Sequence, residues 1–111
     1  MLGKQHPDVV HTARNLAVFL HKRGKLSDAE KVFRSALAGA DSKPEAQLHH
    51  NTWYCMANYA NLLNDLGRLD EAKRLCDTAL AAQRRTIGDD HPDTIESMKV
   101  LGWINSKAAA Q

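Results

Sequence analysis

Two copies of one tripeptide, His6-Pro7-Asp8 and His91-Pro92-Asp93, are the first candidates for chemistry. An imidazole beside a carboxylate reads either as an active site present twice or as a signal that helix geometry requires twice. The six histidines also invite a metal reading. His49 and His50 are adjacent, so on a helix they point to different sides, and neither stands at i, i+4 from another His or Cys. His11 and His21 are separated by about 15 Å along a helix axis at 1.5 Å per residue. No cluster has metal-ligand spacing, and surface histidines are the reading preferred. Cys76 falls on an apolar stripe and is expected in the core. Cys55 is expected to be partly accessible, without a neighbouring pattern that would make it a nucleophile. There is no glycine-rich phosphate loop, no Gly-x-Ser-x-Gly elbow and no carboxylate pair with an identifiable cleft. The expectation is no catalytic residue, no cofactor, no metal site and no enzyme.

The elements must then do something other than position reactants. A chain of 111 residues suffices for one domain. Hydrophobic residues at 43% and charged residues at 25% are ordinary for a globular protein, so a core can form. A net charge of only +2 argues against nucleic acid and against an anionic membrane surface. No apolar run approaches the ~20 residues of a membrane span. The start, "MLGKQHPDVV", has no secretory h-region, and two cysteines do not make a disulfide framework. An intracellular, cytoplasmic setting is therefore expected. Abundant alanine and leucine, only three prolines and no convincing apolar–polar alternation predict an all-α fold.

"NLAVFLHKRGKLSDAEKVFRSAL" (residues 15–37) superposes on "NYANLLNDLGRLDEAKRLCDTAL" (residues 58–80) at an offset of 43. Matches include Asn15/Asn58, Ala17/Ala60, Leu20/Leu63, Gly24/Gly67, Ala29/Ala72 and Ala36/Ala79. Each unit predicts two helices. In the first, Val9, Ala13, Leu16, Ala17 and Leu20 form one apolar stripe. Gly24 then supplies the left-handed residue of a sharp stop. The second helix carries Ala29, Val32, Phe33, Ala36, Leu37 and Ala40, with small alanines where helices approach closely. Repeat units are expected at about 6–43, 44–88 and, in part, 91–111, giving five helices in a single domain.

Leu16-Ala17, Leu20, Gly24, Ala29, Phe33 and Ala36, repeated as Tyr59-Ala60, Leu63, Gly67, Ala72, Cys76 and Ala79, resemble the tetratricopeptide repeat. The third copy keeps Leu101-Gly102 but has Asn105 and Ala109 where the pattern asks for a large residue and a glycine. The spacing of 42 to 43, with His-Pro-Asp at the unit starts, is similar to the kinesin-light-chain type. The resemblance implies a helix-turn-helix solenoid that binds extended peptides or short helices in a concave groove lined by the first helix of each unit. Residues off the core stripe of those helices are then the site candidates. They are His11, Arg14, Asn15, Val18, His21 and Lys22, then Tyr54, Asn58, Asn61 and Asp65, then Lys99 and Trp103. In the family, an asparagine at the Asn15 and Asn58 position holds a bound peptide's backbone; the alternative is that each bonds a neighbouring unit and fixes the stacking angle. Val18 and Trp103 could form a hydrophobic floor.

Within this frame the tripeptide has a mechanical role. Proline suits the first helical position, where its missing N–H has no partner. Asp8 and Asp93 follow in the first turn, favoured there by the helix dipole. Leu2-Gly3 and Ile87-Gly88 read as ends of preceding helices. The same tripeptide marks J-domain co-chaperones, but there it occurs once, in a loop after a basic helix, so that reading ranks last. The partner expected is a protein or peptide, with no nucleic acid and no membrane insertion. Self-association through exposed end helices, with Leu101, Trp103 and Ile104 as the apolar set, is the rival expectation, that of a structural subunit.

Overall fold

Helix-forming segments punctuated by glycine build five α-helices in the structure, a computed structural model that describes residues 7–38 and 49–110. They are α1 (Pro7–Lys22), α2 (Leu26–Ala36), α3 (His50–Asp65), α4 (Leu69–Thr86) and α5 (Pro92–Ala109). His6, Leu2-Gly3, Ala40 and Gln111 lie outside the described residues, as do the side chains of Pro7 and Asp8.

The turns after α1 and α3 are built alike. Gly24 and Gly67 take φ of 78° and 80°, a region that costs a residue with a Cβ roughly 1–2 kcal/mol. This lets the Lys25 N–H return to the Leu20 carbonyl at 2.9 Å and the Gly24 N–H to His21 at 3.0 Å. Arg68 and Gly67 do the same to Leu63 and Asn64 at 3.0 and 3.1 Å. Both sets close the helix end with the paired bonds of a Schellman stop. Each turn folds the second helix back on the first, so α1 packs on α2 and α3 on α4.

The pairs then stack. α1 touches α3 and α3 touches α5, forming one layer, while α2 and α4 form the other and each also touches the next first helix. Among the described residues there is no strand, and the architecture is an all-α helix-turn-helix solenoid. Ala17, Ala29, Ala60, Ala72 and Ala79 are fully buried, which allows close helix approach, and Phe33, Leu62 and Leu63 fill the space between. Cys76, at the position Phe33 holds in the first unit, is also fully buried, and its thiol donates to the Ser97 carbonyl at 3.3 Å.

The junction between units is polar at its rim. The Phe33 and Tyr59 rings stack at 5.3 Å. The Tyr59 hydroxyl donates to a Glu30 oxygen at 2.7 Å, and the same oxygen accepts from Arg68 at 2.6 Å and Arg34 at 3.1 Å. Burial alone would raise the Glu30 carboxyl, but the Tyr59 and Arg68 hydrogen bonds and the two guanidinium charges hold it below its ordinary value.

Four expectations need correction. Leu16 is 50% exposed, because no described helix covers that side of α1, whereas Val10 on the same helix is fully buried. Cys55 is not accessible: it is fully buried, and desolvation pushes its thiol up to about 12. His49 and His50 do not diverge, since His49 stands outside the helix as its N-cap and its ring lies 4.1 Å from that of His50. At the C-terminal end Ile104 is buried against α3 and α4 and Leu101 is half-buried, leaving Ile95 and Trp103 exposed.

Candidate functional site

Two of the histidines, His49 and His91, are helix caps. His91 Nδ1 accepts the Asp93 backbone N–H at 3.0 Å at the start of α5, with Pro92 at the first helical position. His49 Nδ1 accepts the Asn51 N–H at 3.1 Å in the same way, although proline and aspartate are missing there. Each satisfies one of the donors that a helix start leaves unpaired. The imidazole itself as cap was missed in the sequence, where only the proline and the acid were assigned a role. Among the described residues no group of three His, Cys, Asp or Glu is placed to hold a metal ion.

A cleft of about 480 Å³ runs across the first-helix layer. α1 contributes Arg14, Val18, His21 and Lys22 as one wall. α3 contributes Tyr54, Asn58, Asn61 and Asp65 as the floor, and α5 contributes Glu96 as the other wall. Leu26, at the start of α2, completes the lining. Of the residues singled out in the sequence, His11, Asn15, Lys99 and Trp103 are not part of this lining. Glu96 and Leu26 are, and neither was anticipated. Glu96 was legible in principle, since it follows the capping His91 by the same step that Tyr54 follows His49.

Arg14 organises one end of the cleft. Its guanidinium lies 4.3 Å from the Tyr54 ring centroid, a cation–π contact. Nη1 donates to Asn58 Oδ1 at 3.1 Å and Nη2 to Asn15 Oδ1 at 2.7 Å. Asn58 is therefore bonded across two units, as the stacking reading of that residue requires. Asn15 is bonded within its own helix, to Arg14 and also to His11 at 3.3 Å. The other end is joined by His21 Nε2 and Asp65 Oδ2 at 2.5 Å, again between units. Both contacts pair residues 44 apart, so they hold α1 and α3 in register along the whole cleft.

A second cleft, about 340 Å³, runs between α3 and α4. Met56, Tyr59, Leu63 and Leu75 make its floor, with Glu71, Arg74 and Thr78 at the rim. It offers no convergent set of donors and acceptors comparable with the first.

No helix among the described residues is long and apolar enough to cross a membrane. No curated protein matches the chain. Residues 50–110 and, separately, residues 9–40 match family models described as tetratricopeptide repeat. With more than half its length matched and its paired helices stacked as the repeat demands, the chain belongs to the tetratricopeptide-repeat family.

Proposed function

We propose that the chain is a non-catalytic interaction module that takes an extended peptide or partner segment in the cleft across α1, α3 and α5. Tetratricopeptide repeats mediate protein–protein interaction, and the observation that carries the finer reading is the lining of the cleft. Asn58 and Asn61 each present a side-chain amide, able to donate and accept, on the floor of an open trough walled by charged groups. That is what an extended backbone needs from a binding surface. On this reading the repeat units span about 6–43, about 44–88 and, in part, about 91–111, and their long spacing is similar to that of the kinesin-light-chain type.

The test is selection of peptides from a random displayed library on the intact chain, followed by affinities on an Asn58→Ala/Asn61→Ala variant. Loss of two amide hydrogen bonds predicts about tenfold weaker binding. Unchanged affinity on that variant, with loss instead on Phe19→Ser or Trp103→Ala, would favour a structural-subunit role. One observation supports that second reading: Leu16 and Phe19 on α1 and Ile95 and Trp103 on α5 are 50%, 56%, 41% and 48% exposed. Apolar area of that kind at both ends of a solenoid suits stacking against another chain.

A further inference from the structure

Arg14 is a cation held in place by neutral groups, with no counter-ion among the described residues. Its bonds run to the neutral oxygens of Asn58 and Asn15 and its face to the Tyr54 ring. Among the described residues no carboxylate forms an ion pair with it, nor with Lys22 on the same wall. Neutral acceptors orient a guanidinium without cancelling its charge, so the α1 wall keeps its positive field toward the cleft. Glu96 is the converse. It is half-buried on the α5 wall and has no ion-pair partner among the described residues. Asp65 also lines the cleft, but at its other end, where its carboxylate is bonded to His21.

Arg14 and Glu96 line the same cleft, one on its α1 wall and the other on its α5 wall. Arg14 lies over Tyr54. Glu96 occupies in α5 the place that Tyr54 occupies in α3, counted from the capping histidines His91 and His49. α3 lies between the two walls, since it touches both α1 and α5. An extended peptide lying over Asn58 and Asn61 sends consecutive side chains to opposite sides. One residue then meets the α1 wall and the next meets the α5 wall.

We infer that the cleft selects an extended segment carrying an acidic and a basic side chain on adjacent residues, the acid against Arg14 and the base against Glu96. The inference rests on the cleft being the binding face. A purely acidic segment places like charge against Glu96, and a purely basic one places it against Arg14, so each is disfavoured.

Fluorescence anisotropy with capped, labelled hexapeptides of alanine tests this, the central pair being Glu-Lys, Glu-Glu, Lys-Lys or Ala-Ala. The Glu-Lys peptide should bind about tenfold tighter than the other three. Glu96→Lys, which breaks no side-chain bond among the described residues, should transfer the preference to Glu-Glu. Equal or tighter binding of Glu-Glu by the wild type, or a ranking unmoved by Glu96→Lys, would overturn the inference while the cleft reading stands. Failure of the Glu-Lys peptide to bind at millimolar concentration would overturn it as well. Binding with the expected ranking lost, and indifferent to Asn58→Ala/Asn61→Ala, would bring down the cleft reading itself.

Discussion

A histidine does at His49 and His91 what serine or aspartate does at most helix starts. The imidazole Nδ1 lone pair reaches the N–H two residues on, at 3.1 and 3.0 Å, which requires the ring proton to sit on Nε2. Proline at the next position costs nothing because its missing N–H would have had no partner. Replacing His91 by alanine should therefore lower stability by about 1 kcal/mol, whereas asparagine should retain most of it. Thermal unfolding followed by circular dichroism reads both variants, and equal midpoints for His91→Ala and wild type would remove the cap from the account. At this scale the sequence told which residues open a helix but not which atom does the work. The tripeptide drew attention to its proline and acid, while the copy that lacks both, His49-His50-Asn51, is capped all the same. Exposure was also hard to read. Leu16 and its counterpart Tyr59 share a position in the repeat, yet one is 50% exposed and the other 8%, because among the described residues a second helix, α2, precedes α3 and covers Tyr59 while none covers Leu16.

The elements themselves were legible because each is marked twice. A glycine at the same place in both units, Gly24 and Gly67, fixes the turn, and alanines at the same phase fix which faces meet. What the repeat logic hides is the polar junction between α2, α3 and the start of α4. Glu30 and Arg34 pair within α2, and the corresponding positions in α4 are Lys73 and Asp77, which pair at 3.4 Å with the signs reversed. A contact that does not recur leaves no trace in a self-alignment. Its consequence is a dependence on acid. The Glu30 carboxyl, and that of Glu71 through its bonds to Arg68, titrates below its ordinary value in the folded chain. A lowered folded value adds stability that is fully present above the unfolded carboxylate range near pH ~4.3 and is lost as pH falls through the folded value. Glu30→Gln should thus be less stable than wild type at pH 7, and the gap in urea midpoints should close below pH about 4. Tyr59→Phe, which keeps the stack on Phe33, should cost about 1.5 kcal/mol at neutral pH, the low end for a bond to a charged group. A gap independent of pH would show that Glu30 acts through packing alone.

At the scale of the whole molecule, stability should be graded along the solenoid with its maximum at α3. That helix alone touches α1, α2, α4 and α5, and its Leu62 and Leu63 are shut from solvent. The outer helices of the first layer each leave apolar surface uncovered, Leu16 and Phe19 on α1, Ile95 and Trp103 on α5. In a repeat stack, energy is held in neighbouring interfaces, so an element with fewer interfaces opens at lower free energy. Amide hydrogen exchange should accordingly show the slowest protons in α3 and faster exchange in α1 and α5, although α5 is as long as α4. Substitution should follow the same gradient. Leu62→Ala empties a fully buried site in the core and should cost about 2–5 kcal/mol, while Trp103→Ala should stay within about 0.5 kcal/mol. The two tryptophans give a second readout, since Trp53 is 4% exposed and Trp103 is 48% exposed. Collisional quenching should therefore reach Trp103 in the folded chain and Trp53 only after α3 opens. Uniform exchange across the first-layer helices, or quenching of Trp53 as early as Trp103, would mean that the chain unfolds as one unit and that its ends are as firmly held as its middle. The cleft depends on that gradient: its floor belongs to the helix with the most neighbours and its walls to two helices with fewer. A bound segment bridging Arg14 to Glu96 would then slow exchange most in α1 and α5, where there is most stability to gain.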